Sequence, residues 1–496
     1  MTEIYFSDYF SLAPDVLEEY GAFDISLVND LPLFVDPFLL FNSENDTYQQ
    51  LHAEIIDYMR FLKEVSLVGE VPDPLVREWF TFPEVKQNWL GLSKAGNEGR
   101  GLGMDFARAL HRNLNNVFRD FGEEKITRSS HLEKLCLIRD GVGRDNISDF
   151  TTNLIKYYLA NYTQEFALRY LRSSQRRRVA LRKVRFNHDT HSWTTEYFEL
   201  PYHRFELPYP HNDFVLLTPK DILTKDEAWI NRPELLDSFP EIARALPDAT
   251  LRAQVNDYLV RTIPRGPKVT RKDVRTAVSS AVERFPQVLD YYIRTKEDSG
   301  DQAVSYAEAR VREVEHIFIN QVRLLVSRFL DPGGFYQLRY NTHEEAYKRL
   351  LFLKDVIENK GGHKLFYVNG KPLEREADLQ LLYRLTWYAT PSDVTREAND
   401  GRGPVDFKVS RGAANKTIVE FKLAKNTQLE RNLEKQCKIY EAASDSTHPS
   451  IKAILYFDDG EFRKVKRILK RLKLEGDPNV VLIDACDYNK PSGSNA

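Results

Sequence analysis

Apolar residues at Leu51, Ile55, Tyr58 and Leu62 are spaced by three and four, which predicts an amphipathic helix over Tyr48–Val65. A glycine-rich loop, Gly99–Gly103, precedes a second helical pattern over Met104–Phe121. The segment Asp140–Asp149 opens a helical run over Ile147–Leu171, and such a loop feeding a helix N-terminus is a place where anions can bind. It lacks the third glycine and the Lys-Ser/Thr of the dinucleotide and phosphate-loop fingerprints, so it reads as helix capping. Alternating Tyr, Phe and Val positions then predict strands at Arg182–Phe186, Trp193–Leu200 and Asp213–Thr218. Residues 236–350 carry helical spacing almost throughout, interrupted at Pro264–Pro267. The longest helix, Tyr306–Leu330, is closed by the turn Asp331–Gly334.

The last third alternates. A helix over Glu374–Tyr388 is followed by strands at Asp393–Glu397, Val405–Val409 and Thr417–Leu423. A helix over Gln428–Ala443, a strand at Ile451–Phe457, a helix over Glu461–Leu474 and a strand at Val480–Asp484 complete it. That order is α/β. The whole reads as a multidomain α/β chain whose N-terminal two thirds are mostly helical, with a small mixed α/β middle. The divisions expected are an acidic, mainly helical domain over 1–125, a mixed α/β domain with a basic run over 126–235, a helical domain over 236–340, and a C-terminal domain over 341–496.

Composition narrows the class. Hydrophobic residues at 42% and charged residues at 29% suit folded protein, and no apolar run approaches the length of a membrane helix, so no membrane partner is expected. Three scattered cysteines make neither a disulfide framework nor a zinc site, which points to a reducing, cytoplasmic setting. The net charge of −3 conceals an asymmetry: residues 1–59 hold twelve Asp and Glu and no Lys or Arg. Two readings follow. Either that acidic face pairs with basic residues of its own fold, or it screens a basic groove made for phosphates.

The densest chemistry lies near the C-terminus. Alternation along Ile418–Leu423 sends Glu420 and Lys422 to one face and Phe421 to the other, and a short hairpin connection lets Asp406 come beside Glu420. Two carboxylates and an ammonium on one sheet face are costly unless they bind something, and hard Mg²⁺ or Mn²⁺ suits carboxylate and carbonyl oxygens.

Asp406, thirteen intervening residues, then Glu420-Phe421-Lys422 resembles the PD-(D/E)XK nuclease superfamily. The preceding helix supplies a counterpart of the family's first-helix acid, best matched by Glu376 with Glu374 as the alternative. Gln436-Cys-Lys-Ile-Tyr440 is similar to the Gln-x-x-x-Tyr element of the RecB-like branch. Val405 separates Pro404 from Asp406, so the literal Pro-Asp is missing. The resemblance covers residues 340–496 and implies a restriction-endonuclease-like αβββαβ core. It further implies a Mg²⁺-dependent nuclease in which Asp406, Glu420, the Phe421 carbonyl and Glu376 hold metal. Lys422 would orient the attacking water, and Gln436 and Tyr440 would position substrate. Large single-chain proteins of this kind resemble prokaryotic phage-defence or restriction nucleases. DNA stands ahead of RNA as substrate, and a homodimer is compatible with a coordinated double-strand break, which needs two such cores.

Two basic runs give separate support for nucleic acid. Arg169–Arg185 includes Arg176, Arg177, Arg178, Arg182 and Lys183 without an acid, and Arg463–Lys473 includes Lys466, Arg467 and Lys470. The same runs could instead be solvated faces or partners of the acidic N-terminus. His188, His191, His203 and His211 lack metal-ligand spacing and read as structural or surface residues. The rival function is a non-cleaving nucleic-acid-binding or scaffold protein that keeps the nuclease-like fold; a nuclease directed at RNA is the other alternative.

Overall fold

The computed structural model describes residues 4–91, 103–117, 121–138, 143–205, 211–225, 227–264, 270–330, 341–368, 370–373, 375–387, 393–399, 404–410, 415–436 and 449–490. The first long helix spans Asp46–Leu67. Asn45 caps it by accepting the Thr47 N–H, and Leu51, Ile55, Tyr58 and Leu62 all face inward, as their spacing predicts. Before it, the short helix α1 (Phe6–Phe10) enters the same core. The glycine-rich loop at 99–103 lies outside the described residues except for Gly103, and its helix runs over Met104–Val117.

The single helix predicted over Ile147–Leu171 is two helices, Arg144–Leu154 and Lys156–Tyr170, parted at Ile155. Polar side chains from other parts of the chain hold the join: Asn153 Nδ2 donates to Pro83 O, and Lys156 Nζ reaches Arg182 O. At the front end, the Gly143 N–H donates to Asn146 Oδ1, a capping contact at the helix start.

Strands β1 (Arg176–Asn187), β2 (Ser192–Phe205) and β3 (His211–Phe214) form an antiparallel sheet in chain order. β1 begins six residues before its predicted start and so takes in the arginine run. A register shift between Arg182 and Phe186 makes a bulge in which Lys183 has φ 50°. This sheet packs on the helix Lys156–Tyr170 through Ala160, Leu181, Phe198 and Leu200.

Helical turns continue without a gap from Gly300 to Leu330, longer than the predicted Tyr306–Leu330 because stretches of i→i+5 turns extend the run. The turn predicted at 331–334 lies outside the described residues.

The C-terminal sheet has five strands: β4 (Asp393–Asn399), β5 (Pro404–Ser410), β6 (Lys416–Leu423), β7 (Ile451–Tyr456) and β8 (Val480–Asp484). Their spatial order follows the chain; β4, β5 and β6 are antiparallel, while β7 and β8 run parallel to β6. β6 is central and buried along nearly its whole length, which suits its Thr, Ile, Val and Phe content. On one face, Phe407 and Phe421 pack on Tyr383 from the preceding helix, α2 (Glu376–Thr386), with ring centroids 5.2 and 4.5 Å apart. On the other, Ile454 packs against Val465, Ile468 and Leu469 of α3 (Asp459–Arg471). The helix predicted over Gln428–Ala443 is described only as far as Gln436, in a short α turn followed by an i→i+5 turn.

One apolar cluster draws on residues from Ile4 to Ala485, beside the two smaller clusters under the three-stranded sheet and under α3. The acidic N-terminus is tied into it by cations of its own fold. Arg323 bonds Ser7 Oγ at 2.6 Å, Asp24 at 2.9 Å and Asp8 at 3.0 Å, and Lys220 pairs with both Glu18 and Glu315. These pairs favour the reading in which the acidic face serves the fold. No helix among the described residues is long and apolar enough to cross a membrane.

Candidate active site

Three predicted residues meet on the C-terminal sheet. Carried one residue further, the register that pairs Val419 with Phe407 sets Glu420 across from Asp406. With Phe407 and Phe421 committed to the aromatic face, Asp406, Glu420 and Lys422 share the opposite one. Asp406 Oδ2 accepts the Phe421 N–H at 2.7 Å and Lys422 Nζ at 3.0 Å. Lys422 Nζ also lies 3.1 Å from Glu420 Oε2 and 3.9 Å from Glu376 Oε2. One ammonium thus bridges three carboxylates.

Glu376, at the first turn of α2, is fixed by two donors on its other oxygen: the Leu423 N–H at 3.1 Å and Asn426 Nδ2 at 2.7 Å. Asn426 escaped the sequence reading, because nothing in its local pattern shows that the turn after β6 folds back onto α2. The alternative, Glu374, lies outside the described residues, as does Tyr440. Gln436 ends a described turn, and nothing in the structure bears on its side chain. The Phe421 backbone N–H enters the site as a donor to Asp406.

The electrostatics follow from burial. Glu420 is 2% exposed, and its Oε1 is buried with no hydrogen-bond partner among the described residues. Loss of water first, and the neighbouring Asp406 charge second, push its carboxyl up to about 8. Burial also raises Asp406, opposed by the Lys422 charge and the donors it accepts. Lys422 is pushed above its ordinary range: burial works against its charge, but Asp406, Glu420 and Glu376 more than offset that. Burial therefore favours the protonated form of both carboxyls, while the three carboxylates favour the charged form of Lys422.

A divalent cation suits the donors present. The carboxylates are hard oxygen ligands, and the orphan Oε1 of Glu420 has no other use. In the observed state Lys422 occupies their midst. Among the described residues no set of three or more His, Cys, Asp or Glu is arranged as a ready cation cage.

The basic residues fall into distinct places. Arg177, Arg178 and Arg182 are exposed on β1 and Arg176 is half-buried. Arg177 and Arg178 stack on Tyr202 and Tyr197. Lys183 has a structural partner set, donating to Glu78 O at 2.8 Å and pairing with Glu78 Oε2 at 3.1 Å. Lys466, Arg467 and Lys470 line the exposed side of α3, with Lys466 3.7 Å from Glu475. Of the histidines, His203 is buried, while His188 and His191 lie at the surface.

Residues 11–231 match the model of a family described as a domain of unknown function (DUF8370), and residues 342–459 match that of a second domain of unknown function (DUF8371). The second match spans every carboxylate of the site and Lys422; the first spans the arginine-bearing sheet. Comparison with curated proteins and with solved structures returns no match.

Proposed function

We propose that the C-terminal region is a metal-dependent nuclease that hydrolyses phosphodiester bonds, of DNA ahead of RNA, in prokaryotic defence against phage or foreign DNA. The observation that carries the reading is the convergence of Asp406, Glu420 and Lys422 on one sheet face, with Glu376 arriving from the preceding helix. The resemblance of these residues and their order to the PD-(D/E)XK pattern supplies the defence context.

Asp406 and Glu420, aided by Glu376, would hold Mg²⁺ or Mn²⁺. When bound, such an ion supplies an activated water and neutralises charge on the transferring phosphoryl group. Lys422 cannot serve as a base, because its carboxylate neighbours keep it protonated. Its role is to donate hydrogen bonds to the attacking water and to oxygens that gain negative charge. The Phe421 N–H keeps Asp406 turned toward the shared face, and Leu423 N–H with Asn426 does the same for Glu376.

The test is a digest of plasmid, linear DNA and RNA with Mg²⁺, Mn²⁺ or EDTA, beside Asp406→Asn and Glu420→Gln. Metal-dependent cutting should fall at least about a hundredfold in either variant with the far-UV spectrum unchanged. Undiminished cutting removes the assignment. One observation favours a second reading: Lys422 already pairs with Asp406 and Glu420, as a static ion cluster in a binding protein would have it. Retarded migration of nucleic acid without cleavage in any metal would support that.

A pH dependence follows. A ligand carboxyl that holds its proton to about 8 must lose it before it binds a cation. The cleavage rate at subsaturating metal is expected to rise about tenfold per pH unit from 6 to 8 and then level. A flat profile over that range would exclude Glu420 as a ligand.

A further inference from the structure

At the far end of the three-stranded sheet, α1 and the short turn Ser173–Gln175 meet β1 and β2 around a cavity of about 550 Å³. Arg176, Arg177 and Arg204 line it with Tyr9, Gln175 and Tyr202, and no carboxylate is among the lining residues. Among the described residues none of the three guanidiniums has an ion-pair partner. Arg177 and Arg204 are instead held by one ring, their guanidinium carbons 5.0 and 5.8 Å from the centre of Tyr202. The Nε of Arg176 is buried with no hydrogen-bond partner among the described residues.

The walls are rigid. Tyr9 Oη accepts the Arg204 N–H at 2.8 Å, and Gln175 Nε2 donates to Phe10 O at 3.0 Å while its Oε1 accepts the Arg172 N–H at 3.0 Å. Among the described residues, three arginines thus line one cavity without a carboxylate beside them, and such an arrangement is relieved by an anion. Guanidinium forks match phosphate oxygens in pairs. The volume falls within the range of roughly 300–1,000 Å³ typical of organic-ligand sites, more than a lone oxyanion fills. Tyr9, the lining tyrosine not covered by an arginine, offers a ring of the kind on which bases stack.

We propose that this cavity binds a nucleotide through its terminal phosphate, either free or at the end of a single strand. The proposal shares no residue with the carboxylate site and does not rest on cleavage. It also gives Arg176 and Arg177 a more definite task than tracking a backbone.

The test is calorimetric titration of the full chain in EDTA. The probes are adenosine 5′-monophosphate, adenosine, inorganic phosphate, and a short single strand with and without a 5′ phosphate. Saturable binding of the mononucleotide or of the phosphorylated strand is expected, and which of the two binds identifies the source. Arg177→Gln and Arg204→Gln should each weaken it about tenfold, the scale of one charge-assisted hydrogen bond. Tyr202→Leu, which keeps all three charges but removes the ring under Arg177 and Arg204, should weaken it about threefold. Arg312→Gln, an equal loss of charge on an exposed helix face, should leave it unchanged. The proposal is overturned if no probe binds, or if adenosine or the unphosphorylated strand binds as tightly as its phosphorylated counterpart. It is equally overturned if inorganic phosphate matches the nucleotide, if the arginine variants bind normally, or if Arg312→Gln weakens binding as much as they do.

Discussion

Lys422→Met is expected to abolish metal-dependent cleavage and, separately, to lower stability by about 3 kcal/mol at pH 8, measured by urea unfolding in EDTA. The cause is what remains behind. Lys422 Nζ is the cation nearest both Asp406, at 3.0 Å, and Glu420, at 3.1 Å, and both carboxyls are buried. Without it their ionisation is opposed by burial and by each other, so their titration moves still higher. The sign of the pH effect is fixed by that shift. A carboxyl raised in the folded state contributes fully below its unfolded value, 4.5 for Glu420, and loses that contribution as pH climbs through the folded value. The deficit of the variant should therefore be small at pH 4 and grow toward pH 8. Adding Asp406→Asn to Lys422→Met should restore about half of the lost stability, because one buried charge is then gone. A variant as stable as the parent at pH 8 would show that the three groups do not share their charge in the folded state.

Arg323→Met is expected to cost about 2 kcal/mol and to free the N-terminus for proteolysis well below the global midpoint. Arg323 is the cation that ties the long helical run to residues 5–24, beside the Tyr5 hydroxyl that donates to Phe318 O: it bonds Ser7, Asp8 and Asp24, and its guanidinium lies 4.8 Å over the Tyr5 ring. Asp24 also accepts the Ser7 N–H at 3.0 Å and the Ser7 hydroxyl at 2.7 Å, so it remains in place when its cation is lost. Burial already raises the Asp24 carboxyl despite Arg323, and removal of the arginine leaves that burial unopposed. Asp24→Asn in the same chain should recover much of the loss. Fragment sizes after brief protease treatment give the second readout: early release of a short N-terminal peptide is expected in the single variant only.

Much of the C-terminal sheet was legible because β strands declare themselves by alternation. Val480–Asp484 was placed to the residue, and the common face of Glu420 and Lys422 follows from a period of two. The nearness of Asp406 followed from a short hairpin. What alternation cannot give is distance, and so the bridging position of Lys422 among three carboxylates had to be seen. Other features were hidden because their causes are remote in sequence. The break at Ile155 has no proline or glycine to mark it; contacts from Pro83 and Arg182 steady it. The start of β1 was missed because consecutive arginines look like a solvated run until the tyrosines of β2 are seen beneath their guanidiniums. Lys183 read as a phosphate contact, yet its bulge geometry directs it to Glu78.

The strand that carries Glu420 and Lys422 sits in the middle of its sheet, and its parallel neighbour β7 arrives only at residues 451–456. On the ribosome, therefore, the two strands that bear Asp406, Glu420 and Lys422 emerge well before the one that pairs with β6 on its other edge. Parallel pairing across an intervening crossover is slow to form and depends on chain not yet made. An unfinished or prematurely terminated polypeptide that ends before residue 451 would hold all three charged residues but lack the strand against which β6 is packed. Assembly of the carboxylate centre is thereby tied to synthesis past β7, and products that end before residue 451 would be left without that pairing.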